Sequence, residues 1–426
     1  MDTNATATGR ADTRRGFVTS SGVAATGIAG LSGCLGIGFG RRSDEAEDEI
    51  VFYNAGSLEY DPGTAANIDR FESETGISVD VNEVPWNNLK TSLTTIWRNE
   101  DGTVDVWNGP SWWLDDFVRS GWLEPLDLPN EHVEKFPDDL VSLMTFDGEV
   151  YMAPQFGKWG TYLYDKHSVS APPETWDDVL ELEVPDQSEF GFTWADKDVF
   201  MFKQFLYQAG GRMFNEDDEP RFHGRAGRDV MEFIVALRER GKIPVGMASM
   251  SEGNLNDAFL AGQFATVNAW TPLGANALEY DRWGESRLGS ARLPEGPGGS
   301  RATFQDTNGL SISAYSERKP AAMRFVEFMT SRESCKHDML VEGNPCVVPD
   351  VYDDDDVHDA YPSHLLETMQ YNLEHAMGET YIAQAQVDDY LSTQITDVLV
   401  NDKDPQRALE QAHDDVEALY QEIGIL

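Results

Sequence analysis

The residues of this chain best equipped to do chemistry are indoles and short polar side chains set at the ends of apolar runs. Asn54, Ser57 and Glu59 follow the run Ile50-Val51-Phe52-Tyr53, Trp86 follows a second run beside Pro85, and Asn108 and Trp112 follow a third. An indole face is a flat apolar platform, while amides and carboxylates donate and accept at fixed geometry. Together they suit noncovalent capture of a neutral polar guest with hydroxyls at its rim. Covalent chemistry has less support. There is no GxSxG elbow, Walker loop, Rossmann fingerprint, HExxH or CxxC pair, so no cofactor and no metal site is expected. The 75 acidic residues make carboxylate pairs unavoidable, and such pairs therefore do not argue for a glycosidase. The run Asp350 to Asp356 lacks the Gly-punctuated spacing of a calcium loop and reads as a solvated acidic loop.

The elements that position these residues alternate. Ile50–Tyr53 reads as a buried strand, a helix carrying Ile68 and Phe71 stops at Gly76, and Ile77, Val79 and Val81 alternate as a second strand. Leu89, Leu93, Ile96 and Trp97 follow helical spacing, Asp105-Val106-Trp107 is a third strand, and Phe117 lies in a helix stopped by Gly121. This order argues an α/β domain with a largely parallel sheet. Tyr151 to Tyr164 then reads as extended strands. Thr175 and Asp178 form a capping box at the start of a helix, where Trp176 packs into the core. Helical spacing returns through Met231, Ile234, Val235 and Arg238 and over Asn256–Gly262. Phe264–Ala269 and Leu310–Ser313 are strands separated by a loop over Leu293–Ser300. Ser316 caps a helix through Met329, and amphipathic helices close the chain.

Charge and termini narrow the function classes. Against 75 acids stand 32 basic residues, net −43, spread along the whole chain. That field repels nucleic acid and fits a protein kept soluble in concentrated salt. At the N-terminus, Arg14-Arg15 precedes a mild apolar stretch that ends at Leu31-Ser32-Gly33-Cys34. It resembles a twin-arginine export signal followed by a lipobox, with Cys34 as the lipidation site (residues 1–34). Residues 35–48, Gly-rich and then charged, read as a flexible tether. Export permits disulfides, so Cys335 and Cys346 are either bonded or two buried thiols.

Several landmarks along the mature chain resemble the family of extracellular solute-binding proteins that includes maltose-binding protein. They are Phe71-Glu72-Ser73-Glu74-Thr75-Gly76-Ile77, Ser120-Gly121-Trp122-Leu123-Glu124-Pro125-Leu126, Tyr151-Met152-Ala153-Pro154 with Tyr162-Leu163-Tyr164-Asp165-Lys166, Pro173-Glu174-Thr175-Trp176, Phe259-Leu260-Ala261-Gly262-Gln263-Phe264-Ala265, and Ala321 to Met329. The resemblance implies a periplasmic-binding-protein-like α/β fold: two lobes joined by hinge strands, with a ligand cleft between them. It implies lobe 1 over 49–154 plus 305–346 and lobe 2 over 155–304 plus 347–426. It adds Gln155 and Trp159 at the first crossing, Asn268 and Trp270 in a later turn, and Asp306 and Asn308 after the second crossing as ligand candidates; Trp194 and Asp196 are weaker ones. Where maltose-binding protein touches sugar, this chain departs at many side chains.

What the resemblance implies about function is a binding protein of an ABC importer, not an enzyme. It would sit at the outer face of the membrane through a lipid on Cys34, with permease and ATPase subunits as partners and a carbohydrate as ligand. A non-sugar solute (a polyamine, phosphorylated polyol or metal chelate), an exported glycosidase and a sensory receptor subunit of the same fold are the rivals. The candidates are rich in indoles and amides and poor in Arg, which favours neutral polyols over phosphorylated ones.

Overall fold

The computed structural model describes residues 49–184, 188–192, 199–244 and 250–425. The twin-arginine segment, Cys34, the tether, Trp194 and Asp196 lie outside these residues.

The strand Glu49–Ala55 buries Ile50, Phe52 and Asn54 at alternate positions and pairs in parallel with Ser78–Val84 and Val106–Pro110. Between the first two runs the helix Pro62–Thr75. Proline opens it, where its missing N–H costs nothing, and Gly76 closes it at φ 73°, its N–H returning to the Glu72 carbonyl. Asp105, wholly buried, ties this region together. Its carboxylate accepts from the Val51 N–H at 2.8 Å, the Ser316 hydroxyl at 2.6 Å and Arg318 at 2.7 Å. The helix expected from Ser316 starts at Lys319, with Pro320 in its first turn. Ser316 instead accepts from the Arg318 N–H in a turn ahead of it, while its hydroxyl donates to Asp105 and holds it there.

Two long strands join the halves of the main sheet. Ala153–Asp165 and Thr303–Ser313 are antiparallel to each other, from Gln305 opposite Trp159 to Leu310 opposite Ala153. On one side Thr303–Ser313 pairs with Val106–Pro110. On the other Ala153–Asp165 pairs with Phe264–Trp270, which runs parallel to Ser188–Phe192. The strand read over Leu310–Ser313 is thus the end of an eleven-residue strand. Its earlier residues are polar enough (Gln305, Asp306, Thr307, Asn308) to hide the alternation.

Each long strand feeds more than one core. Ala153 and Leu310 join Phe52, Phe71 and Phe325. Tyr162, Leu163 and Phe304 join the larger cluster around Phe202, Phe233 and Tyr420, and Trp159 sits in a third with Trp97, Trp107 and Cys346. In the larger cluster the Thr175–Asp178 capping box is formed, and Trp176 lies flat on Phe233 at 4.3 Å. A disulfide joins Cys335 and Cys346, Cα atoms 5.3 Å apart.

The acidic run differs from its expectation. Pro349–Asp353 and Asp355–Ala360 are short helices, and two cations of the helix Arg332–Glu342 grip them. Arg332 reaches Asp350 at 2.9 Å and Asp354 at 2.8 Å; Lys336 reaches Asp354 and Asp356 at 3.0 Å. Hydrogen bonds from Arg332 and Lys336 pull the Asp354 carboxyl down to about 2. A carboxyl depressed by folding stabilises the fold above its unfolded pKa, about 3.9, and loses that effect as pH falls through its folded value. The stability difference between wild type and Asp354→Asn, read by denaturant unfolding, should therefore be full at pH 7 and shrink between pH 4 and pH 2.

Candidate ligand cleft

Strand ends, four helix starts and the second long strand converge on a cavity of 380 Å³. Its lining combines Trp86, Trp112, Phe200, Trp270 and Phe304 with Lys158, Lys203, Glu252, Asp306, Asn308 and Gln384. Phe304, Asp306 and Asn308 stand at alternate positions of one strand and so share a face. Lys158 pairs opposite Asp306 on the neighbouring strand.

The aromatic residues form two groups. Trp86 is 40% exposed and stacks on Trp113 at 5.3 Å, and Trp113 meets Trp112 edge-on at 5.5 Å. Phe200, at the start of Phe200–Gln208, packs on Trp270 at 4.5 Å, and both are nearly buried. The first group is anchored through the buried Trp113 to the cluster around Trp97 and Trp107, and the second belongs to the larger core. Each leaves ring surface at the cavity, where stacking on apolar C–H faces is available.

The two lysines differ. Lys203 is buried and paired with the buried Asp388 at 2.7 Å, while Tyr381 donates to the other Asp388 oxygen at 2.6 Å. The Lys203 ammonium also lies over the rings of Phe304 and Tyr381, at 5.4 and 5.3 Å. This is a wall fixture, its charge met by Asp388 and its ammonium packed on two rings. Lys158 is only half-buried.

The structure sorts the sequence candidates. Trp86, Trp112, Trp270, Asp306 and Asn308 line the cavity. Asn54 and Asn108 are buried behind its wall: Asn108 donates to Asn54 Oδ1 at 2.7 Å and accepts the Ala55 N–H at 2.7 Å, which fixes Ala55 at the lining. Ser57 caps the turn Leu58–Tyr60 and donates to Glu83, while Glu59 is exposed beside it. Gln155 is buried and donates to Thr64 at 3.0 Å. Trp159 is wholly buried; its ring covers Gly157, where a Cβ would lie 2.3 Å from it. Asn268 is buried against Gly160. Lys158, Phe200, Lys203, Glu252, Phe304 and Gln384 were not among the candidates. Phe304 and Lys158 had a signal in the alternation with Asp306 and in the crossing of two strands. Phe200 and Lys203 follow residues with no periodic pattern, and Glu252 and Gln384 stand at helix starts without one.

A family model for bacterial extracellular solute-binding proteins matches residues 55–334, well over half of the chain. The chain belongs to that family. Among curated relatives of this solute-binding protein, one from Brucella abortus (strain 2308), described only as a binding protein, is 23% identical over 279 residues, covering 62% of this chain and 67% of the relative. A probable ABC transporter-binding protein of Deinococcus radiodurans is 21% identical over 303 residues, covering 66% and 72%. The fold is shared with the maltose-bound MalE3 of T. maritima (TM-score 0.79, 20% identity, covering 87% of this chain and 99% of that one). It is shared also with a solute-binding protein of Agrobacterium vitis S4 solved with D-mannitol (TM-score 0.73, 18% identity, covering 88% and 99%). The solute-binding protein thus has the two-lobed architecture of the maltose-binding-protein type.

Removing one partner of the Lys203–Asp388 pair strands a buried charge. Lys203→Met should lower the unfolding free energy by about 3–5 kcal/mol. The double variant Lys203→Met, Asp388→Leu should recover much of that loss in the same denaturant titration.

Proposed function

We propose that this chain is an exported, lipid-anchored receptor that captures a neutral sugar or related polyol and delivers it to the permease of an ABC importer. The observation that carries the reading is the cleft lining: two groups of aromatic rings around polar groups, in which Lys203 is already neutralised by Asp388 and Lys158 is set against Glu252 and Asp306. A lining with no excess of positive charge does not favour an anion, and the rings offer a neutral guest platforms. Relatives of the same fold hold maltose and D-mannitol, which supports the same ligand class here. No bond is made or broken in this role. The half-buried Lys158 is the one feature that would favour an anionic guest such as a phosphorylated polyol.

Closure on the guest would use three crossings between lobe 1 (49–154 plus 305–346) and lobe 2 (155–304 plus 347–426). Their adjacency supports these bounds: Gln305 pairs opposite Trp159, Phe156 bridges to Cys346, and the Gly157 N–H donates to the Pro345 carbonyl at 3.0 Å. Bending a few backbone torsions at one point would move the lobes as bodies. Cys34 would carry the lipid, and the acidic surface would keep the protein soluble in brine.

A thermal-shift screen of sugars, polyols and their phosphates in molar salt tests the ligand class. Stabilisation by neutral sugars, weakened at least tenfold in affinity by Trp270→Ala while the fold survives, is expected. Stabilisation by the phosphates alone would replace the reading. Mass spectrometry of the native N-terminus should find Cys34 as the first residue, acylated; an unmodified Cys34 would remove the anchor.

A further inference from the structure

Away from the cleft, Asp61, Asp338 and Glu342 each bring a carboxylate oxygen within 4.8 Å of the others. Asp338 and Glu342 stand one turn apart on the helix Arg332–Glu342, and Asp61 is the residue ahead of Pro62–Thr75. Among the described residues none of the three has a cationic partner, although Arg332 and Lys336 on the same helix are spent on Asp350, Asp354 and Asp356. Asp338 is 1% exposed, and its Oδ1 has no hydrogen-bond partner. That oxygen presses toward Gly63, where a Cβ would lie 2.0 Å from it, and the Gly63 N–H points to Glu342 Oε2 at 3.3 Å. Asp61 Oδ1 is likewise buried without a partner. Two further oxygens have weak neutral donors, Asn344 to Asp338 Oδ2 at 3.3 Å and Asn54 to Asp61 Oδ2 at 3.5 Å, and the Asp61 and Glu342 carboxyls meet each other at hydrogen-bonding distance.

An unpaired buried carboxylate is costly, and three together repel one another, so the cluster must take up positive charge. Protons would do so singly. One hard cation would satisfy all three at once, drawing oxygens to 2.3–2.6 Å, and oxygens this far apart can close around calcium with small rotamer changes. We propose that Asp61, Asp338 and Glu342 form a calcium site that pins the start of helix Pro62–Thr75 to the end of helix Arg332–Glu342. The ion would brace the cleft from behind. Asp61 meets Asn54, which holds Asn108, which holds the Ala55 backbone at the lining.

The test uses the full chain stripped of metal by chelating resin and held in molar potassium chloride, which screens the surface acids. Calcium is titrated by calorimetry against wild type, Asp338→Asn and Glu342→Gln, with thermal melts in parallel. The expected result is one saturable equivalent in wild type that raises the melting temperature and is lost, or weakened at least tenfold, in both variants. Asp338→Asn removes a buried charge and keeps the side-chain shape, so the variant should fold. Equal binding by wild type and variants would overturn the site. So would no binding by wild type together with a metal-free Asp338→Asn that melts higher than wild type, which would mean that the cluster is held by protons.

Discussion

The antiparallel ladder between Ala153–Asp165 and Thr303–Ser313 is the constraint on which the rest of this molecule depends. It is the seam where the parallel strands of the first half meet the strands of the second. Because side chains alternate along a strand, one face of this ladder sends Phe304, Asp306, Asn308 and Lys158 into the cleft. The other face buries Thr303, Gln305 and Thr307. A slip of one residue would exchange these sets, placing a carboxylate in the core and dry side chains in the cleft. The register shift between Asn308 and Gly309 confines the irregularity to one point.

Around that seam, the fold separates groups that hold structure from groups that line the cavity. Asp105, Asp388 and Lys203 are buried and saturated by specific partners. Asn108 spends its amide on Asn54 and on Ala55, and Asn54 donates to Gly56 and Asp61. The aromatic rings, Lys158, Asp306 and Glu252 remain at the cavity surface. A rigid frame of satisfied polar groups leaves few rotamers to freeze when a ligand arrives, which lowers the entropic cost of capture.

Much of the fold was legible because its signals are local. Gly76 stops a helix through its positive φ, the Thr175–Asp178 box starts another, and Ile50 and Phe52 alternate cleanly. The site was legible only in part, since strand periodicity gives alternation but not which face meets the cleft. Trp159 and Trp270 were both candidates in sequence, yet one is sealed over Gly157 and the other reaches the cavity. Lys203 was invisible because its partner is far along the chain, and Ser316 misled because a tertiary demand from Asp105 outranked its capping preference. The Asp61–Asp338–Glu342 cluster shows the same limit: Asp61 lies far along the chain from the other two, and no local pattern joins the three.

The grip of Arg332 and Lys336 on Asp350, Asp354 and Asp356 has an asymmetric consequence. In a chain with 75 acidic and 32 basic side chains, losing one carboxylate from such a knot leaves others to take its place. Losing the guanidinium leaves Asp350 without its cation and Asp354 and Asp356 on Lys336 alone, so mutational tolerance should be broad at the acids and narrow at the few bases that hold them.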